Sequence, residues 1–340
     1  MSEQFKDQGG MATMDPSRLM RWLTSRVMGR VSRAAYVERR RAKAEKGRIK
    51  AGAPHHVDYF HQVDEAYSDL TGQILGQLAE RYDIELHCHL VRGQEGKNAP
   101  EPEMLARLAR YEAHLIAPGY GLRFPEHPDP PAPEHVSVAT RILAAQSTAE
   151  RPRVVAMVSE ALWREDDTEL SRLATAHGSA SADEAAAAVV AGTTKRKELR
   201  HYSGAMFHYG GEWYWGVDRL HHLETRLATL GADRHPDEPL IAPRPAIDLA
   251  GHTDQGRYTL ELYASLRSPY TAVVFDRAVA FAEQAGVELK LRPVLPMVMR
   301  GVPATREKGM YIFMDAAREA RVAGVPYGNF YDPIGYPARR

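Results

Sequence analysis

The chain has 340 residues, with Lys+Arg and Asp+Glu at 44 each, so its formal charge is zero and no global electrostatic case exists for nucleic acid. Hydrophobic residues make up 44% and charged residues 26%, which excludes disorder as the main state. No apolar run reaches the roughly 18 residues of a spanning helix, and the N-terminus lacks a signal peptide's apolar core.

Charge is distributed unevenly along the chain. Residues 1–14 read as a disordered tail. Residues 16–50 carry twelve basic residues against Glu38 and Glu45, while residues 51–340 sum to −8. A helix is expected from Asp15-Pro16-Ser17, with Asp15 as cap and Pro16 in the first turn. Leu19, Leu23, Val27 and Val31 recur every four residues beside Met20 and Trp22, an amphipathic stripe among arginines. Gly47 and the AGAP stretch at 51–54 are expected to end this arm. It is read as docking on an acidic body, its own or a second copy's, which would make a homo-oligomer. The second reading is contact with an anionic membrane surface.

From residue 57 the pattern alternates. A strand is expected at Val57–His61, one helix at Tyr67–Tyr82 and a strand at Ile84–Val91. Helical patterns follow at 104–116, 135–149, 153–164, 168–176 and 182–191, with a Pro-rich extended stretch at 125–133. A hairpin at 205–215 turns on Gly210-Gly211, and a helix spans Asp218–Leu230. Residues 232–256, with four prolines, read as a linker. Then the pattern restarts, with strands at Thr259–Ser265 and Val287–Val294 and helices at Tyr270–Ala285 and Lys308–Ala323. Tyr67 and Tyr270, like Leu86 and Leu289, lie 203 positions apart, so an internal duplication is expected. The second copy has no counterpart of the first copy's later half, and the GYPARR ending reads as the end of a fragment of a longer protein. The expected segments are 1–54 (tail and arm), 55–231 (first domain), 232–256 (linker) and 257–340 (half of a second domain).

Cys88 is the only cysteine. A disulfide within the chain, a CxxC pair and a Cys zinc cage are excluded, and a cytoplasmic setting is expected. His87 and His89 alternate on a strand, and with His61 they could seed a metal site. A plain polar sheet face is the preferred reading, so no metal is expected, and Cys88 should face the apolar side. Trp213 and Trp215 should share one face as packing groups.

Ser268-Pro269-Tyr270 opening a helix after a strand, then LKLRPVLP, Lys308-Gly309-Met310-Tyr311 and Gly324-Val325-Pro326, resemble the DsbA-like branch of the thioredoxin fold. The nearest members in kind are 2-hydroxychromene-2-carboxylate isomerases and kappa-class glutathione transferases. Gly216-Val217-Asp218-Arg219-Leu220 is similar to that family's F-x-G-x-D-R-L ending. The resemblance spans about residues 57–230 and 258–340. It implies an α/β architecture of tandem DsbA-like domains with a helical insertion, the second incomplete. It also implies a glutathione-dependent isomerase or transferase acting on a small-molecule substrate. Ser268 would favour the glutathione thiolate, since a helix N-terminus favours an anion. Pro269, Tyr270, Lys308, Asp218 and Asn98 would line the glutathione site. Three of these also have an ordinary reading: Ser268 as a helix cap, Lys308 as a solvated residue, Asp218 as a first-turn acid.

The first copy departs from that pattern. Glu65-Ala66, after Asp64, stands where the second copy has Ser268-Pro269, and Ala205 stands where the family has a cis-proline. Degeneracy of the first copy is the preferred reading, with general acid–base work by Asp64 and Glu65 the alternative. The rival to an enzyme is a non-catalytic thioredoxin-fold binding module.

Overall fold

The structure is a computed structural model describing residues 16–332, except 127, 128, 250, 252, 301, 303, 304 and 329. The expected tail, the Asp15 cap and the GYPARR ending lie outside the described residues. The chain divides into two units, Arg41–Pro245 and Met1–Arg40 with Ala246–Arg340.

The arm forms two helices, α1 (Arg18–Val31) and α2 (Ala34–Lys50). Ser17 caps α1, its hydroxyl accepting from Met20 N at 3.3 Å. Gly47 does not stop α2. A glycine inside an exposed helix costs only about 1 kcal/mol relative to Ala, and the helix runs three residues past it. Leu19, Trp22, Leu23 and Val27 of α1 are solvent-exposed.

In the 41–245 unit, β1 (His56–His61) runs parallel to β2 (Glu85–Leu90). The hairpin strands β3 (Met206–Tyr209) and β4 (Glu212–Trp215) complete a mixed sheet of order β2-β1-β3-β4, with β3 antiparallel to β1. That order and direction are those of a thioredoxin-like α/β sheet. The expected helix at 67–82 is two helices, α3 (Ala66–Gly72) and α4 (Leu75–Arg81). The break falls after Gly72, where Ile74 takes over as the cap of α4. A continuous apolar face cannot reveal such a step, because both helices bury the same side, Leu70 and Ile74 then Leu75 and Leu78.

Five helices lie between β2 and β3: α5 (Pro102–Ile116), α6 (Pro133–Ala144), α7 (Arg151–Trp163), α8 (Asp167–His177) and α9 (Ala182–Glu198). The last helix of the unit is α10 (Gly216–Thr229). The apolar face of the sheet carries Val57, Tyr59, Leu86, Cys88, Leu90, Phe207 and Tyr214, and packs with residues of α3, α4, α6, α7 and α10 into one core. Cys88 is fully buried there, as expected. His87 and His89 lie on the opposite face, at register positions beside Asp58 and Phe60. His61 shares the Cys88 face, so it cannot complete a site with His87 and His89. His208 and Trp213 pair across the hairpin, and Trp213 packs on Phe60 at 5.4 Å and on His201 at 4.4 Å.

The segment after α10 is tied down. Arg81 forms a bidentate pair with Asp233 (3.0 Å twice) and donates to the His235, Glu238 and Pro239 carbonyls. Buried Glu224 accepts from Tyr82 Oη (2.9 Å), Ile241 N (2.7 Å) and Ala242 N (3.0 Å). Each buried polar atom finds a partner on this strap, which is the condition for burying it at all.

In the other unit, β5 (Thr259–Leu262) pairs in parallel with β6 (Glu288–Leu291). Helix α11 (Pro269–Ala285) joins them and α12 (Arg306–Val322) follows. Gly286, at φ 68°, ends α11 in the left-handed conformation that glycine adopts without Cβ strain. Val273, Ala316 and Ala320 form the small core between the helices, with Tyr270, Val325 and Tyr327 packed around it.

Candidate functional site

Two helix N-termini merit description, one in each unit. In the 246–340 unit, Ser268 is the N-cap of α11, its Oγ accepting from Thr271 N at 3.3 Å. A hydroxyl that accepts in this way can also donate its own proton. Pro269 follows at the first helical position, where its missing N–H costs nothing. The Tyr270 hydroxyl donates to Asp315 Oδ2 on α12 at 2.8 Å, fixing the two helices' relative placement.

Lys308 lies in the first turn of α12, behind the cap Thr305, which accepts Lys308 N at 3.2 Å. It is partly buried, and burial lowers its pKa. Both helices follow parallel strands, so both begin beyond the strands' carboxyl ends. That is the place where open α/β sheets bind ligands. Each helix N-terminus favours an anion, and Lys308 adds a partly buried ammonium to the first turn of α12.

In the 41–245 unit the corresponding helix is α3, and its N-cap is Glu65, whose carboxylate accepts Ser68 N at 2.8 Å. Burial raises its pKa to about 7, against the opposing pull of that hydrogen bond. One turn on, buried Asp69 is also raised to about 7 by burial, with Gln73 donating to it at 3.0 Å. Ser68 Oγ accepts from both Gln62 N and Ala205 N, at 3.1 Å each, and so fastens the end of β1 to the start of β3. Ala205 is buried with φ 51°, and no peptide bond among the described residues is cis. Asp69 and Ser68 were missed in the sequence. Their signal, a polar residue on the buried side of an amphipathic helix, was available.

The remaining expected site residues lie in this same unit. Asp218 is exposed in the first turn of α10, accepting from Tyr120 Oη (3.2 Å) and Arg219 (3.0 Å). Asn98 ends a short 3-10 turn, Gly96–Asn98. Ser268, Pro269 and Tyr270 thus lie at the start of α11 and Lys308 in the first turn of α12, all in the 246–340 unit, whereas Asp218 and Asn98 belong to the other unit.

No helix among the described residues is long and apolar enough to cross a membrane. No family model matches the chain, and no curated protein does. Among solved structures the chain is similar to a selenomethionine 2-hydroxychromene-2-carboxylate isomerase (HCCA isomerase). The two share 19% identity over 52% of this chain and 96% of that one, with a TM-score of 0.40.

Proposed function

We propose that the chain is a glutathione-dependent isomerase or transferase, of the 2-hydroxychromene-2-carboxylate isomerase type, acting on a small unsaturated substrate. The observation that supports the reading is Ser268 capping α11, with the partly buried Lys308 on the first turn of α12 in the same unit. The donors that suit an anionic thiol here are one hydroxyl and one ammonium, at a helix N-terminus whose dipole favours negative charge. Glutathione, when bound, would supply the nucleophilic sulfur. Ser268 would hold that sulfur as thiolate by donating its proton as a hydrogen bond, without itself attacking. Lys308 would pair with a glutathione carboxylate, and Pro269 and Tyr270 would shape the wall. By the resemblance alone, Asp218 and Asn98 would contact glutathione in the 41–245 unit's own copy of such a site.

We also propose that the two sheets arose by duplication. The pairs His56↔Glu85 and Thr259↔Glu288 have the same register, both shifted by 203 positions. At the same offset, Tyr67 donates to Glu112 as Tyr270 does to Asp315, and Gln62 N donates to Ser68 as Ser265 N does to Thr271. Glu65 then occupies the place of Ser268. Where Glu65 ionises, above about pH 7, its carboxylate would repel a thiolate, so residues 41–245 are assigned a non-catalytic binding role.

The test is the ultraviolet thiolate absorbance of bound glutathione as a function of pH. The expected result is a thiol pKa depressed by the wild-type chain, less so by Ser268→Ala and by Lys308→Met. An unshifted thiol pKa in the wild type contradicts the reading.

A further inference from the structure

The polar face of the 41–245 sheet holds a cluster that the glutathione reading does not use. His56 and Glu85 are register partners on β1 and β2, and His87 lies two residues on along β2. One ligand atom from each of the three falls within 4.8 Å of the other two. His56 Nδ1 is 3.9 Å from Glu85 Oε2, and the His56 and His87 rings lie 4.5 Å apart.

The other nitrogen of each ring is already held. His56 Nε2 lies 3.1 Å from Asp58 Oδ1, and His87 Nδ1 lies 2.8 Å from Thr148 Oγ1. Asp58 is buried, and its Oδ1 also lies 2.7 Å from His89 Nε2. Thr148 is itself anchored, its carbonyl accepting Cys88 N at 2.7 Å. The Asp58 carboxylate can only accept, so His56 donates from Nε2 and leaves Nδ1 for a ligand, while Thr148 holds His87 through Nδ1 and leaves Nε2 as that ring's ligand atom. This is the outer-shell arrangement that metal-ligating histidines use.

A contrast within the same molecule sharpens the point. The register positions of His56, Glu85 and His87 are filled on β5 and β6 by Thr259, Glu288 and Lys290. There Lys290 pairs with Glu288 at 3.1 Å, so a side-chain cation neutralises that carboxylate. No lysine occupies the equivalent place beside Glu85. Lys195 pairs instead with Asp58, at 3.4 Å.

We propose that His56, Glu85 and His87 form a binding site for a divalent transition metal of the zinc class. Two imidazoles and one carboxylate match that metal's ligand preference, and a small side-chain rotation closes the spacing to about 2.0–2.2 Å metal–ligand distances. His56 and Glu85 are exposed and His87 is partly buried, which leaves a fourth position open to water.

The test is titration of the tag-free full chain with Zn2+ by calorimetry and with Co2+ by visible absorption. One saturable site is expected. His87→Ala and Glu85→Gln should each weaken it at least about 10-fold, and Thr148→Val should weaken it about 10-fold through loss of the outer partner. The adjacent His221-His222 pair is the competing place for a metal, so His222→Ala should leave affinity unchanged. Circular dichroism of each variant checks that the fold persists, and Thr148→Val, which keeps every ligand, carries the test if a ligand variant does not fold. The absence of a saturable site, or affinity lost in His222→Ala and retained in His87→Ala, would overturn the proposal.

Discussion

Ala205 shows how a single residue constrains this site. Its φ of 51° lies in the left-handed region, and its N–H donates to Ser68 Oγ at 3.1 Å. Proline fixes φ near −65° and has no N–H. Ala205→Pro, which would install the residue the resembling family carries, should therefore destabilise the 41–245 unit by about 3 kcal/mol or more; denaturant unfolding measures this. Asp69 is the second case. Burial raises its carboxyl from 3.8 to about 7, so the folded chain keeps a proton that the unfolded chain has released between those values. Its contribution to stability is then full below its unfolded pKa and is lost as pH rises through about 7. Asp69→Asn cannot lose a proton. Its thermal midpoint should fall less than the wild type's between about pH 5 and about pH 8. Parallel curves for the two proteins would show that Asp69 titrates normally.

At the scale of elements, α9 meets β2 at Gly192. A Cβ there would drive into the Leu90 carbonyl oxygen and lie 3.2 Å from His89 Cβ. Backbone cannot yield as a flexible side chain can, so Gly192→Ala should cost on the order of 1–3 kcal/mol. An unchanged thermal midpoint would mean that α9 can slide off the strand. Elements also show what was legible. Strand alternation gave His56–His61, Glu85–Leu90 and the Gly210-Gly211 hairpin nearly to the residue, because a period of two has no competing reading there. The step between α3 and α4 was illegible, since both helices bury one continuous face. Gly47 misled because a glycine's helix penalty is small beside the length of α2. Of the candidate site, Ser268 at a helix start could be read from spacing with Pro269. The Asp58 network could not, because it depends on which strand neighbours which.

At the scale of the whole molecule, residues 41–245 hold a four-stranded sheet, one continuous core and the Arg81–Asp233 strap. A fragment of residues 41–245 should fold with one cooperative unfolding transition, followed by circular dichroism; a broad, non-cooperative melt would mean that its core is incomplete. The exposed stripe of α1, with its surrounding arginines, belongs to the other unit. If the arm docks on an acidic surface of a second copy, removing residues 1–33 should reduce the oligomer seen by light scattering without changing liposome binding. Loss of anionic-liposome binding with unchanged size would favour the membrane reading.

The most direct test of the thiolate site is calorimetric titration of glutathione into the full chain and into Ser268→Ala. A hydrogen bond to a charged sulfur contributes about 1.5–3 kcal/mol. The account therefore predicts saturable binding to the wild type, weakened about 10- to 100-fold in the variant. Binding of equal strength to both proteins, or none to the wild type, would contradict it.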